Sequence, residues 1–268
     1  MARLLVLSLL LCSISALVPP PNVVVTPDFT FARNHLQLTS ASSRVNTVVV
    51  ERAAAIPQEF FDDVLTPAQM NVALPDPIGD ADGTQQLVRS AVVASLCGLT
   101  ETHAGALSMH IAELCTEFAR CCAGEGSLPR AVRAQLVVSA QNDLKNAQRC
   151  PRYHTDQVPV RLVATLCGSG TQVLPTTSVD RGASPLRDDT VPYDATPGDV
   201  LMLVGASSAG GAQRAAVHRS PPPPSTRVSG GSRVVLVVDV DEDPPPPSSA
   251  TDTPIGGFAK HLRRLLVA

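Results

Sequence analysis

The sequence contains no tryptophan, and aromatic residues make up only 3% of its 268 positions. Proteins that bind single-stranded nucleic acid use aromatic side chains beside a basic groove. Lysine and arginine together number 21, against 24 aspartate and glutamate residues, and they form no cluster that would give a basic footprint. We therefore expect no nucleic-acid partner.

Regularly spaced cysteine pairs are also missing. The seven cysteines include no Cys-x-x-Cys pair, and their number is odd. Zinc ribbons and disulfide scaffolds both require paired cysteines, so both classes are disfavoured. Cys150 precedes a histidine and could ligate a soft metal such as zinc. A small packing residue is the simpler interpretation.

The N-terminal region is predicted to be a targeting sequence. Residues 1–16 place an arginine before the apolar run Leu4–Leu11 and small residues after it, which is typical of a signal peptide. The run is too short to span a bilayer comfortably, so no stable membrane span is expected. Residues 17–55 are poor in acids and rich in serine and threonine, which indicates a transit-like or disordered segment. We expect entry into the secretory pathway, followed by secretion or delivery to the plastid of an alga with complex plastids.

A single domain is predicted over residues 56–240. Apolar residues recur at helical spacing in the part from 85 to 123, beginning with Leu87 and Val92. From 132 to 240, β-branched runs alternate with tight turns and show no helical period. These patterns predict a mainly β fold with flanking helices (α+β), whose β-core is a sandwich or barrel.

The end of the chain differs in composition from this domain. Residues 241–268 are first acidic and proline-rich and then weakly basic. Such a composition is typical of a linker followed by a C-terminal tail.

Two histidines and one aspartate form the strongest candidate site. His154 and Asp156 are separated by one residue, so on a strand both side chains would point to the same face. His218 follows on a later predicted strand. Two imidazoles and one carboxylate are the ligand set of the facial triad in non-haem Fe(II) oxygenases. The sequence therefore predicts a metal site formed by His154, Asp156 and His218.

Blocks of sequence around these residues resemble the DUF1826 family of uncharacterised proteins. The order and spacing of the blocks over about residues 85–240 carry the resemblance. The blocks are Cys150–Asp156, Val158–Leu162, Gly168–Pro175, Gly198–Met202, Val217–Pro222 and Arg233–Asp239. They are similar, more distantly, to 2-oxoglutarate-dependent dioxygenases of the phytanoyl-CoA hydroxylase type. That likeness implies a double-stranded β-helix (a cupin-like jelly roll), Fe(II) at the triad and 2-oxoglutarate as cosubstrate.

The same resemblance implies an arginine that binds the far carboxylate of 2-oxoglutarate. Arg233 opens the last predicted strand after His218 and is the first choice. The proline-rich loop between His218 and Arg233 is longer than usual in these dioxygenases, so Arg227 and Arg161 remain alternatives. A guanidinium suits this task because it can hold a carboxylate with two parallel hydrogen bonds.

Three functions are compatible with these residues. The first is an Fe(II)/2-oxoglutarate-dependent dioxygenase that acts on an unknown small molecule or protein side chain. The second is a non-enzymatic metal-binding jelly-roll module, and the third is a zinc or manganese enzyme on the same barrel, since a fold does not determine a function. An arginine within reach of the open metal positions favours the first function. A cavity without a cationic clamp favours the other two.

Overall fold

A computed structural model describes residues 19–37, 44–52, 56–64, 67–123, 131–140, 150, 152–176, 191–208, 210–221 and 232–240. The predicted signal peptide (1–16), the predicted linker and tail (241–268) and Arg227 lie outside the described residues. None of the helices within these ranges is long and apolar enough to cross a membrane.

The described chain forms strands and three α-helices, and its architecture is mixed α+β and rich in sheet. The helices are α1 (Phe29–Gln37), α2 (Ala81–Ser95) and α3 (Glu101–Cys122). The strands are β1 (Val23–Thr26), β2 (Thr47–Val50), β3 (Ala68–Leu74), β4 (Val132–Ala140), β5 (Val160–Cys167), β6 (Gln172–Val173), β7 (Tyr193–Asp194), β8 (Val200–Val204), β9 (His218–Arg219) and β10 (Ser232–Val240).

Two sheets organise these strands. The major sheet has seven strands in the order β1-β2-β8-β5-β10-β4-β3, and the minor sheet has three in the order β7-β6-β9. Neighbouring strands run antiparallel, except that β1 and β2 are parallel. Over the described residues the sheets do not close into a barrel.

Strand alternation divides the interior into two layers, because successive side chains point to opposite faces of a sheet. Leu162 of β5 and Leu236 of β10 are fully buried on the face that packs against α2 and α3. Val163 and Val235, one residue away on the same strands, face the minor sheet and meet Val173 there. Each fully buried aliphatic side chain of this kind contributes about 1.5–3 kcal/mol. The major sheet is thus held between helices and a second sheet.

The predicted helical part consists of two helices. The Asp80 side chain accepts a hydrogen bond from Gly83 N, so α2 begins before the predicted residue 85, and Thr100 caps α3 in the same way. Leu87 was expected on the buried stripe, but it is 46% exposed, and its neighbour Val88 is buried instead. Val92, the other residue predicted for this stripe, is buried, so the prediction was wrong only at Leu87.

The β-core extends beyond the predicted range of 132–240. Strands β1, β2 and β3 all lie upstream, and β1 and β2 fall within the segment 17–55 that was predicted to be transit-like or disordered. Each of these two strands has four residues, too few to show a period, and β2 finds its partner β8 much later in the chain. The buried Asn22 amide helps to fix them by donating to Asn46 Oδ1 at 2.9 Å and to the Leu174 carbonyl at 3.1 Å.

Candidate metal centre

The backbone brings the two histidines of the predicted triad opposite each other. His154 N donates to the His218 carbonyl and His218 N donates to the His154 carbonyl, both at 3.0 Å, which forms an isolated antiparallel bridge. The two ring centroids lie 4.4 Å apart. Strand β9 carries His218 on the minor sheet, and the segment with His154 pairs beside it. This bridge of two backbone hydrogen bonds thus joins two distant parts of the sequence.

Asp156 completes the group from the loop that follows this bridge. Its backbone carbonyl accepts a hydrogen bond from Ala206 N at 2.7 Å, and its side chain is 8% exposed. Asp156 Oδ2 lies 3.4 Å from His218 Nε2, and Asp156 Oδ1 lies 3.8 Å from His154 Nε2. One ligand atom from each of the three residues lies within 4.8 Å of the others, so the structure brings the three predicted residues together.

The hydrogen bonding of this group suits a divalent cation. Among the described residues, the buried Asp156 Oδ2 has no hydrogen-bond partner. A buried polar atom left without a partner costs about 1–3 kcal/mol, and more when it is charged. The ring nitrogen His154 Nδ1 lies 3.0 Å from the Arg152 carbonyl, to which it can donate, leaving Nε2 to ligate. The donor set of two imidazoles and one carboxylate fits Fe(II).

The protonation of the two histidines differs because their surroundings differ. Burial lowers the pKa of His218 to about 4, although the nearby Asp156 carboxylate acts in the opposite direction. His218 is therefore neutral at pH 7, which is the form that binds metals. A hydrogen bond to the Cys150 side chain is the main cause that raises the pKa of His154 to about 8, while partial burial opposes it.

Gly205 allows the loop that carries Asp156 to lie close to the end of β8. A Cβ atom at position 205 would come within 1.9 Å of the Val158 carbonyl oxygen and 3.1 Å of the Asp156 carbonyl oxygen. Backbone atoms cannot move aside as a flexible side chain can. The close approach therefore requires glycine at this position.

Gly205→Ala should destabilise the protein by about 1–3 kcal/mol, the usual cost of forcing extra atoms into a packed site. Thermal unfolding of the metal-free protein measures the effect. The matched control is Gly105→Ala in α3, where an added Cβ meets nothing within 4 Å. That change should leave the protein as stable or more stable, since alanine favours a helix. Equal stability of the two variants would contradict the close approach.

Arg161, one of the alternative cosubstrate arginines, is engaged by two carboxylates. Its Nη1 donates to Asp156 Oδ1, and its Nε and Nη2 donate to Asp239 Oδ1 and Oδ2, each at 2.7 Å. The last two bonds form a bidentate pair. The Arg161 guanidinium therefore lies beside the candidate metal ligand Asp156 with three of its donors already used.

Arg233, the first choice for the cosubstrate arginine, has different hydrogen-bond partners from those of Arg161. Its Nε donates to the Ser169 carbonyl at 2.9 Å, and its Nη1 donates to Ser220 Oγ at 3.3 Å. Among the described residues, no carboxylate lies within ion-pair distance of it. Burial lowers its pKa to about 10, so it stays protonated at pH 7. A half-buried guanidinium without a carboxylate partner among the described residues favours an anionic ligand.

The candidate site opens into a cavity of about 570 Å³ between the two sheets. His154, His218, Arg161, Arg233 and Ser220 line it. Its walls include four valines, Val137, Val163, Val235 and Val237. The volume lies within the range of small-molecule sites, and charged groups on apolar walls are typical of them.

Sequence reasoning missed the contribution of Asp239. It was assigned only to the end of a predicted strand, although its carboxylate binds Arg161. Alternation along β10 was the available signal, because Asp239 and Arg233 are separated by an even number of positions and so share a face. Both residues line the cavity.

One protein family matches the part of the chain that contains this site. The family, described as "Protein of unknown function (DUF1826)", matches residues 33–239, whereas no curated protein matches the sequence. Dioxygenase for auxin oxidation 1 from Arabidopsis thaliana, solved with 2-oxoglutarate, is similar at 12% identity and a TM-score of 0.46, over 88% of this chain and 98% of that one. The rice dioxygenase for auxin oxidation is similar at 14% identity and a TM-score of 0.43, over 83% of each chain. A full-length Neurospora crassa protein, solved with α-ketoglutarate, is similar at 10% identity and a TM-score of 0.40, over 82% of this chain and 84% of that one.

Proposed function

The chain belongs to the DUF1826 family of proteins of unknown function, and we propose that it is an Fe(II)- and 2-oxoglutarate-dependent dioxygenase. One observation carries the proposal. His154, Asp156 and His218 converge around a buried carboxylate oxygen that has no hydrogen-bond partner among the described residues, and the cavity that the two histidines line also contains the half-buried guanidinium of Arg233. A metal that activates dioxygen and a dicarboxylate cosubstrate would together satisfy both features.

Each residue has a definite task in this proposal. His154, Asp156 and His218 hold Fe(II) on one face, which leaves the opposite positions open. Arg233 binds the far carboxylate of 2-oxoglutarate, and Ser220, which already accepts a hydrogen bond from Arg233, lies beside it. Fe(II) with 2-oxoglutarate and dioxygen supplies oxidative decarboxylation, in which 2-oxoglutarate becomes succinate and carbon dioxide and the second oxygen atom enters the substrate as a hydroxyl group.

The apolar walls of the cavity support this chemistry. Val163 and Val235 are buried within the layer between the two sheets, and Val237 packs against that layer. Such walls keep bulk water away from reactive groups and strengthen the electrostatic interactions inside the site. Of the four arginines that line the cavity, Arg161 is bound to Asp156 and Asp239, whereas Arg233 has no carboxylate partner among the described residues and is therefore assigned to the ligand carboxylate.

The arrangement of the sheets supports a double-stranded β-helix (jelly roll) as the fold of this domain. Two sheets, antiparallel except for the pair β1 and β2, face each other, and the described helices cover the outer face of the major one. The metal ligands lie on or beside β9 of the minor sheet, while Arg233 lies on β10 of the major sheet. A ligand between the sheets could therefore contact both.

The cationic side chain in the cavity favours the dioxygenase over the two other functions considered. A non-enzymatic metal-binding module has no need of an arginine without a carboxylate partner in the same cavity as the metal. A zinc or manganese enzyme would use the metal as a Lewis acid and would not need 2-oxoglutarate. Binding of 2-oxoglutarate therefore separates the three functions.

The proposal is tested by adding Fe(II) and then 2-oxoglutarate to the purified protein without oxygen. We expect one Fe(II) per chain, followed by the visible charge-transfer absorption of a 2-oxo acid chelated to Fe(II). Zn(II) in place of Fe(II) should give no such absorption. After admission of air, slow formation of succinate without added substrate is expected.

Two outcomes would overturn the proposal. Tight metal binding without any 2-oxoglutarate binding at millimolar concentration would leave a metal-binding module. Failure to bind Fe(II), Mn(II) or Zn(II) would remove the metal centre itself.

A further inference from the structure

We infer that Arg161 and Asp239 form a positioning pair that fixes the carboxylate of Asp156, so that Asp156 offers a single oxygen, Oδ2, to the metal. This inference rests on the proposed metal site and adds two residues to it. Neither residue would touch the metal, because Asp239 acts through Arg161 and Arg161 acts through Asp156.

The contacts of Asp156 divide its two oxygens between different tasks. Oδ1 accepts a hydrogen bond from Arg161 Nη1. Oδ2 is buried without a hydrogen-bond partner among the described residues and lies 3.4 Å from His218 Nε2. The unpartnered oxygen is therefore the one on the side of the second histidine ligand. A carboxylate held in this way binds a metal through one oxygen and leaves more coordination positions open.

Asp156 needs such support because its own backbone is irregular. It lies outside the strands, in the loop between the His154 bridge and β5. The terminal torsion of an aspartate side chain is broad, so sequence position alone does not set the plane of the carboxylate. A hydrogen bond from a side chain of fixed orientation sets it instead.

The Arg161 guanidinium has a fixed orientation because the Asp239 carboxylate binds the edge formed by Nε and Nη2. Arg161 and Asp239 are direct partners in the register of β5 and β10, both within the major sheet. The bidentate contact, with both bonds at 2.7 Å, aligns the guanidinium plane and leaves Nη1 directed at Asp156. The rigid sheet thus sets the position of a ligand that lies in a loop.

Arg161 could affect metal binding by positioning Asp156 or through its own charge. These two effects predict opposite changes in metal affinity when Arg161 is removed, which makes the inference testable. A cation beside a metal ligand repels the metal, so an arginine that acted only through its charge would weaken metal binding. Its removal would then strengthen binding. An arginine that positions Asp156 strengthens binding, and its removal weakens it. Partners that orient metal ligands typically contribute roughly 10–100-fold to metal affinity.

The experiment measures Mn(II) affinity in Arg161→Lys, Arg161→Gln and the double variant Arg161→Gln/Asp239→Asn. Lysine keeps the charge but loses the planar fork of donors. The double variant removes one positive and one negative charge and so leaves the local charge unchanged. We expect a roughly 10–100-fold loss of affinity in all three variants. The visible spectrum of bound Co(II) should also change, because it reports the number and geometry of the ligands.

Arg120→Lys is the matched control, because Arg120 pairs with Glu117 on the exposed side of α3, away from the cavity. It should keep the wild-type affinity. Thermal unfolding of each metal-free variant checks the fold, and the conservative Arg161→Lys alone decides the matter if the glutamine variants do not fold.

Three results would count against the inference. Wild-type affinity in Arg161→Lys together with higher affinity in Arg161→Gln would show that Arg161 acts through charge alone. Wild-type affinity in all three variants would show that the pair has no role at the metal. If the wild-type protein itself binds no metal, the proposed function fails first and the inference fails with it.

Discussion

Replacing His154 by alanine should leave the protein folded but unable to hold Fe(II) tightly. His154 would supply one of three ligands, and its Nε2 lies beside Asp156. Loss of an outer-shell partner costs roughly 10–100-fold in metal affinity, and we expect the loss of a direct ligand to cost more than that. The fold should persist because the His154 side chain is 31% exposed and lies outside the hydrophobic layers, whereas His218 is buried.

Calorimetric titration with Fe(II) under argon, or with Mn(II) as a surrogate, measures this effect, and circular dichroism checks the fold. His103→Ala is the control. His103 lies on α3 and stacks on Phe60, with ring centroids 4.0 Å apart, so its loss removes an imidazole that is not at the site. Unchanged Fe(II) affinity in His154→Ala would remove His154 from the ligand set and leave too few ligands for a facial triad.

The grouping of His154, Asp156 and His218 was predicted from the sequence because their residue types and order match a facial triad. The proximity of His154 and Asp156 follows from their spacing in the chain, whereas the proximity of His218 depends on a pairing with a distant segment. The structure brings them together in a way that the pattern did not specify. His154 forms a single bridge rather than part of a regular strand, and Asp156 lies in a loop.

The role of Arg161 could not be predicted, because it depends on the register between distant strands. Arg161 lies opposite Asp239 only because β5 and β10 pair with a particular alignment, which includes a shift near Val234. A slip of one residue would turn either side chain to the helix-covered face. Local sequence carries the alternation within each strand but not the alignment between strands. Arg161 therefore remained an alternative to Arg233 until the fold was known.

Strands β1 and β2 were not predicted, for a related reason. Composition describes an average over the segment 17–55, and that average resembles a targeting or disordered sequence. Burial of Val48, Val49 and Val50 depends on β8, which lies far along the chain. A short β-branched run becomes a strand when such a partner is available, and its own sequence does not reveal the partner.

Replacing Arg233 by alanine should weaken 2-oxoglutarate binding by about 1.5–3 kcal/mol, the scale of a hydrogen bond to a charged group. The half-buried guanidinium lines the cavity, and among the described residues it has no carboxylate partner. A dicarboxylate would provide that partner. Fe(II) affinity should change little, because the contacts of Arg233 are to Ser169 and Ser220 rather than to the three metal ligands.

Titration of 2-oxoglutarate into the anaerobic Fe(II) protein, followed by charge-transfer absorption, measures the loss. Arg161→Ala and Arg227→Ala are tested in parallel, since both were alternatives for the same task. Arg161→Ala should lower Fe(II) affinity before it affects the cosubstrate, because Arg161 contacts Asp156. Weaker 2-oxoglutarate binding in Arg227→Ala but not in Arg233→Ala would assign the carboxylate to Arg227. Weaker 2-oxoglutarate binding in Arg233→Ala at unchanged Fe(II) affinity would show that Arg233 serves the cosubstrate and not the metal.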